Sequence, residues 1–215
     1  MEVLFQLFTA IEALKPALKK YILSALERKE FKKGEFILKE DQVARYIYFI
    51  EKGIVRSFRY HNDKEETLWF MKEYDLVVSV ESFFPQLPAT EFIQAIEYTV
   101  LHRISFDQLN EAYRRFSQFN LHGRVILQKY YIQSLQRESM RRKRAFEKYE
   151  YLMKNHKELV GRVQDKYLAS YLGVTPETFS YQKRKYAKGK TSKGKTSKGK
   201  TSKEKVKINK PKRKR

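Results

Sequence analysis

Apolar residues recur three or four apart from the start of the chain: Leu4, Leu7, Phe8, Ile11, Leu14, Leu18, Ile22 and Leu26 share one side of successive helical turns. Pro16 interrupts this run, so the spacing predicts two helices over 2–30. The period then changes. Short aromatic and β-branched runs at 35–38, 44–50, 54–60, 66–71, 76–80 and 92–104 are separated by turn residues and predict strands. Gly34 and Gly53 supply turns, and His61, Asn62, Asp63 and Lys64 form a polar turn between two of the runs. After Phe106 the helical period returns and continues to Tyr186, with breaks expected near Gly123, around His156 and at Gly173. The fold class this predicts is α+β, with an N-terminal antiparallel β-barrel or jelly roll, flanking helices and a long helical C-terminal half.

Within that half, Leu121, Val125, Gln128, Ile132 and Leu135 are spaced four, three, four and three apart, the seam spacing of two helices packed along one another. Such a stripe either joins two copies of the chain or packs on the chain's own barrel. Gln128 favours the dimer, because one polar residue in an apolar seam fixes register and partner number.

The segment 164–185 reads as a helix-turn-helix. Tyr167, Leu168, Tyr171 and Leu172 form the apolar face of the first helix, with small Ala169 allowing close approach of the second. Gly173 stops that helix, since a left-handed C-terminal residue is unstrained only when it lacks a Cβ. Thr175 then caps the next helix, Pro176 suits its first position and Glu177 opposes the positive end of its dipole. Val174 and Phe179 are its expected core contacts. Thr178, Ser180, Tyr181, Gln182, Lys183, Arg184 and Lys185 are left to offer donors and charge to a DNA groove and its phosphates, and Thr175 and Glu177 at the start of the helix are counted with them as candidate DNA contacts. Arg141 and Arg142, in the cluster Arg141-Arg142-Lys143-Arg144, are candidate contacts to the DNA backbone. The plain alternative for the same spacing is a helical hairpin with a solvated basic face.

Composition narrows the partner. The chain of 215 residues carries a net charge of +21, and the segment 188–215 holds 14 basic residues against one acid. The body remains basic without this tail and suits a polyanion, nucleic acid before an acidic membrane surface. The tail repeats Lys-Gly-Lys-Thr-Ser three times, has almost nothing apolar to bury and is expected to be disordered. With no cysteine in the chain, disulfides, thiolate catalysis, thiol zinc sites and cysteine-held iron–sulfur clusters are excluded. Neither a signal peptide nor an 18-residue apolar run is found, so a cytoplasmic protein without a membrane span is expected.

The run Val163-Gln164-Asp165-Lys166-Tyr167-Leu168-Ala169-Ser170-Tyr171-Leu172-Gly173-Val174-Thr175-Pro176-Glu177-Thr178-Phe179-Ser180 resembles the helix-turn-helix of the Crp/Fnr family of bacterial transcription regulators. Phe31-Lys32-Lys33-Gly34-Glu35 and Tyr48-Phe49-Ile50-Glu51-Lys52-Gly53 resemble the opening strands of that family's cyclic-nucleotide-binding barrel. The resemblance implies a homodimer reading a palindromic site in double-stranded DNA, with a small-molecule effector acting through the barrel. It divides the chain into a sensor with its dimerisation helix at 1–137 (the helix at about 106–137), a DNA-binding unit at 138–187 and the Lys-rich tail at 188–215.

The same comparison argues against cyclic AMP. Family members that bind it are expected to carry Gly-Glu before a loop ending in Arg-Ser or Arg-Thr, whereas this chain is matched as Val80-Glu81 and Ala89-Thr90. Without the arginine fork the phosphate loses its charge-assisted partner. Glu81, Ser82, Ala89, Thr90 and Gln128 are the residues expected around an effector pocket whose occupant is unknown. Tyr181 stands where many members have arginine, which puts the family's common half-site in doubt, while Gln182 could read adenine. His61, His102, His122 and His156 leave haem open in principle, but no metal or cofactor is expected.

Residues 189–196 and 194–201 spell the phosphate-loop motif Gly-x4-Gly-Lys-Thr, but a repeat of period five must generate that spelling, and no strand leads into it. Neither His-Glu-x-x-His nor Gly-x-Ser-x-Gly occurs, and an enzyme is not expected. The rival reading is a ligand-binding or protein-interaction module that its basic tail attaches, without sequence choice, to nucleic acid or acidic lipid.

Overall fold

The structure is a computed structural model that describes residues 2–196, with side chains through Lys188. Two helices lead, α1 (Glu2–Thr9) and α2 (Pro16–Ala25), and Pro16 opens the second, where its missing amide costs no hydrogen bond. Eight strands follow: β1 (Glu27–Phe31), β2 (Phe36–Leu38), β3 (Tyr46–Lys52), β4 (Val55–His61), β5 (Lys64–Met71), β6 (Leu76–Val77), β7 (Phe92–Ala95) and β8 (Thr99–Ser105). The short α3 (Val80–Phe83) lies between β6 and β7. The strands form two antiparallel sheets, ordered β1-β8-β3-β6 and β2-β7-β4-β5, so the expected antiparallel jelly roll is present.

Side-chain alternation explains the layering. Val55, Ile93, Ile50 and Leu101 point from the two sheets into one core, which Leu18, Ile22, Leu109 and Phe119 of the helices extend. The β4–β5 hairpin closes through Asn62 and Asp63, both at positive φ (48° and 58°), the two-residue turn that matches strand twist. Gly53 sits at φ 100°, where a Cβ would lie 2.8 Å from Thr99 Cα and from the Tyr98 carbonyl oxygen.

The helical half comprises α4 (Phe106–Arg115), α5 (Ser117–Arg141), α6 (Ala145–Asn155), α7 (Asp165–Leu172) and α8 (Pro176–Thr196), with one 3-10 turn at Lys157–Leu159. Ser105 and Gln108 form a reciprocal capping box at the start of α4. At 25 residues α5 is about 37 Å long. One of its sides, with Phe119, His122 and Ile126, packs on the barrel and its helices, and Tyr130 Oη accepts the Leu76 amide at 2.8 Å. No described helix is long and apolar enough to cross a membrane.

Several boundaries differ from expectation. Residues 27–31 form an edge strand rather than the end of a helix, because their pairing with β8 outweighs a charged sequence with no apolar alternation. Val80 begins α3 instead of ending a strand, and the run 92–104 is two strands belonging to different sheets. No break occurs at Gly123. It lies inside α5, where a Cβ would fall 2.4 Å from the Tyr113 hydroxyl, so the residue serves close helix packing and the chain turns at Phe116 instead. Helix α8 continues past Lys185 to Thr196, through the first of the residues expected to be disordered; residues 197–215 lie outside the described residues.

Replacing Gly53 with Ala should combine left-handed strain with a backbone clash. We expect a loss of about 2–5 kcal/mol, read as a lowered midpoint in thermal unfolding.

Candidate nucleic-acid interface

The C-terminal unit is built on a second core of Met140, Tyr149, Leu152, Leu159, Val163, Leu168, Ala169, Leu172 and Phe179, which also takes in Ile54 and Ile96 of the barrel. Gly173 ends α7 at φ 61° and ψ 48°, the left-handed stop its sequence context suggested. Thr175 Oγ1 accepts the Thr178 amide at 3.2 Å and so caps α8. The Glu177 carboxyl is held below its usual range by its own backbone amide and the Thr175 side chain.

Helix α8 has two unlike faces. Phe179 is fully buried and meets the Tyr149 ring edge-on at 5.4 Å, and Tyr186 packs on the same ring at 5.5 Å. Lys183 reaches across to Asp165 at 2.8 Å and pins α8 to the first turn of α7. The opposite face carries Glu177, Ser180, Tyr181, Arg184 and Lys185, all exposed, with Tyr181 at 57 %. Among the candidate DNA contacts, Thr175 and Thr178 serve the cap, and Gln182 is half-buried with its Oε1 unpartnered.

The basic cluster divides in a way the sequence did not suggest. Arg141 sends Nη1 to Glu66 at 2.7 Å and Nη2 to the Thr67 carbonyl at 3.0 Å, so it is engaged on the barrel rather than open to a phosphate. Arg142 is exposed and pairs with Glu138, one helical turn away.

Arg141 belongs to a seam that holds α7 against β4 and β5. Ser170 Oγ accepts the Thr67 amide and donates to the Glu65 carbonyl, both at 2.9 Å. Tyr171 meets Phe70 at 5.5 Å. The Arg56 guanidinium, 1 % exposed, lies 4.1 Å from the Phe58 ring centre and 3.7 Å from that of Tyr167, and also reaches Glu65 at 2.7 Å and Gln94 at 3.1 Å. Arg162 sends Nη1 and Nη2 to Glu73 at 3.0 and 2.5 Å and also pairs with Glu97. None of these pairs was foreseen from sequence. The only local signal was an arginine set within the apolar run of β4.

On α5, the expected seam residues lie away from the barrel: Ile132 and Leu135 are 54 % and 52 % exposed, Gln128 is exposed, and Leu121 and Val125 are half-buried. Leu127 and Tyr131 widen this apolar stripe. Packing within the chain therefore leaves Gln128, Ile132 and Leu135 uncovered.

The expected effector residues lie on two separate elements, Glu81, Ser82, Ala89 and Thr90 around the 80–90 loop and Gln128 on α5. Glu81 is exposed and accepts from Thr90 Oγ1 at 3.1 Å. Ser82 Oγ accepts the Ala44 amide and donates to the Leu87 carbonyl, a stitch within the loop. Ala89 is buried, with its amide on the Gln42 carbonyl and its carbonyl on the Asp41 amide. The amides of Ser82, Phe83, Leu87 and Ala89 all donate within the chain, so these four are not free for a phosphate. Gln128 stands on the exposed stripe of α5. Sequence reasoning missed the buried polar group of the barrel, where Glu91 accepts the Ser57 hydroxyl beside Ser79. Burial raises the Glu91 carboxyl above its usual range, with the two serines opposing.

Comparison with known proteins bears on this geometry. Residues 28–116 match the family model described as the cyclic nucleotide-binding domain. Three solved structures of Crp/Fnr-type regulators share the fold. FixK2 from Bradyrhizobium japonicum is 20 % identical with a TM-score of 0.67, covering 76 % of this chain and 86 % of that one. A CooA mutant from Carboxydothermus hydrogenoformans is 19 % identical with a TM-score of 0.61, covering 78 % of each chain. The c-di-GMP responsive global regulator CLP of Xanthomonas campestris is 15 % identical with a TM-score of 0.62, covering 81 % of this chain and 93 % of that one. A search of curated proteins finds no match. The barrel is thus a cyclic-nucleotide-binding-type domain. Over 76–81 % of its length the chain shares the fold of these three structures.

The Arg162 clasp gives the seam a pH dependence. Burial alone would raise the Glu73 carboxyl, but hydrogen bonds from Arg162, its own backbone and the Gly53 amide bring it down to about 2. Its folded value lies below its unfolded one, so its stabilisation is complete above about pH 4.5 and is lost as pH falls towards 2. An acid titration followed by emission of the single tryptophan, Trp69, should show Arg162→Ala shallower in this window and destabilised by about 1 kcal/mol at neutral pH.

Proposed function

We propose that this protein is a cytoplasmic, homodimeric transcription regulator that binds a palindromic site in double-stranded DNA through the exposed face of α8. The observation that carries this reading is a helix buried on one face by Phe179, capped by Thr175 and held by Lys183, whose other face offers Ser180, Tyr181, Arg184 and Lys185 to a groove. With tyrosine at 181, hydroxyl and ring contacts replace an arginine fork, so base readout differs from a guanine-gripping half-site. Arg142 and the Lys-rich tail add phosphate contacts without sequence choice.

The exposed apolar stripe of α5, with Leu127, Tyr131, Ile132 and Leu135, supports a partner helix from a second copy. Two copies paired along α5 would present two α8 helices, as a palindrome requires. The barrel serves as the sensor. Its effector is not cyclic AMP, since Ala89 supplies no cation and its amide is already used.

Selection from random duplex DNA should enrich one palindromic sequence for the full chain, and for residues 1–186 with weaker affinity and a shallower salt dependence. Failure to enrich any sequence would favour a module held non-specifically by its tail. The double change Ile132→Glu and Leu135→Glu should convert a dimer to a monomer in sedimentation. Affinity for the palindrome should then fall about 100-fold or more, because the second half-site no longer binds intramolecularly.

A further inference from the structure

A groove of about 430 Å³ opens between β2, β3 and the loop joining them, within the range of small-molecule sites. Its wall is apolar at Leu38, Val43 and Ile93 and aromatic at Tyr46 and Tyr48. Its polar groups are sorted by depth. Arg45 is exposed and has no side-chain partner among the described residues. Arg103 is fixed by Glu27, at 2.8 and 2.7 Å, and lies over the Tyr46 ring at 3.9 Å. Deeper in, Ser79 is 1 % exposed and its hydroxyl lies beside the Glu91 carboxyl. A hydroxyl that faces a carboxylate still has lone pairs to accept from a ligand's polar atom.

We propose that this groove binds an organic carboxylate with an apolar body, its anionic head at Arg45 and Arg103 and its body between the two sheets. The charge order sets this orientation. An anion carried inward would approach the buried Glu91 carboxyl, whereas at the mouth it meets one unpaired guanidinium and one whose charge Glu27 only partly offsets. A neutral hydroxyl on the body would donate to Ser79. The site differs from a phosphate cradle on the 80–90 loop, whose Ser82, Phe83, Leu87 and Ala89 amides are engaged and whose Gln42, Val43 and Ala44 contacts instead build the groove rim. The inference names the effector class of the proposed sensor and in that sense rests on the regulator reading.

Decanoate, below its micellar concentration, is the probe for calorimetric titration of the full chain without DNA. We expect one decanoate per chain, affinity at least ten-fold weaker in Arg45→Glu, unchanged affinity in the tail variant Lys195→Glu, and no binding of decylamine. Equal affinity in Arg45→Glu, an equal loss in Lys195→Glu, or decylamine binding as well as decanoate would each overturn the proposal. Because DNA is absent, a failed titration removes the groove assignment and leaves the regulator reading to DNA selection alone.

Discussion

The buried guanidinium of Arg56 is the constraint around which the rest of the molecule is arranged. A cation removed from water must find charge and hydrogen-bond partners, or it destabilises the fold by several kcal/mol. Arg56 finds Glu65 and Gln94 within the barrel but only one aromatic face there, that of Phe58. The second face belongs to Tyr167 of α7. Undocking the C-terminal unit would uncover this side chain, so the barrel favours the docked arrangement before Ser170, Arg141 and Arg162 add their contacts.

Docking assigns the two helices of that unit different work. Helix α7 turns Tyr167, Ser170 and Tyr171 to the barrel, while α8 packs on α6 and α7 and keeps Tyr181, Arg184 and Lys185 in water. The same division runs through β4. Arg56 faces α7 and its neighbour Ser57 faces the inside of the barrel, where it holds Glu91, because successive residues of a strand point to opposite sides. One strand therefore joins the interior proposed to sense a ligand to the seam that sets the position of the face proposed for DNA.

The parts of this arrangement that were legible in the sequence are those governed by neighbouring residues. Gly173, Thr175 and Pro176 act within a turn of each other, and the hairpin at Asn62 and Asp63 needs only its own dihedral angles. Helical and strand periods likewise report which side of an element is apolar. What could not be read depends on residues far apart in sequence. Gly123 resembles a helix break until Tyr113 is seen against it, and 27–31 resembles helix until β8 pairs with it. Arg56, Glu91 and Arg141 look like solvated charges, since nothing local reveals that Tyr167, Ser57 or Glu66 comes to meet them. The closure of the 80–90 loop was hidden for a related reason: the Ala89 amide is held by the Gln42 carbonyl, far away in sequence.

In this arrangement α7 is held by the barrel while α8 carries the face proposed to read the bases of a duplex. Amide hydrogen exchange, compared with and without a DNA duplex obtained by selection, tests it most directly. Exchange in α8 around Tyr181 to Lys185 should slow on binding, with α7 and β5 equally protected in both states. Protection appearing in α7 and β5 while α8 stays unchanged would contradict it.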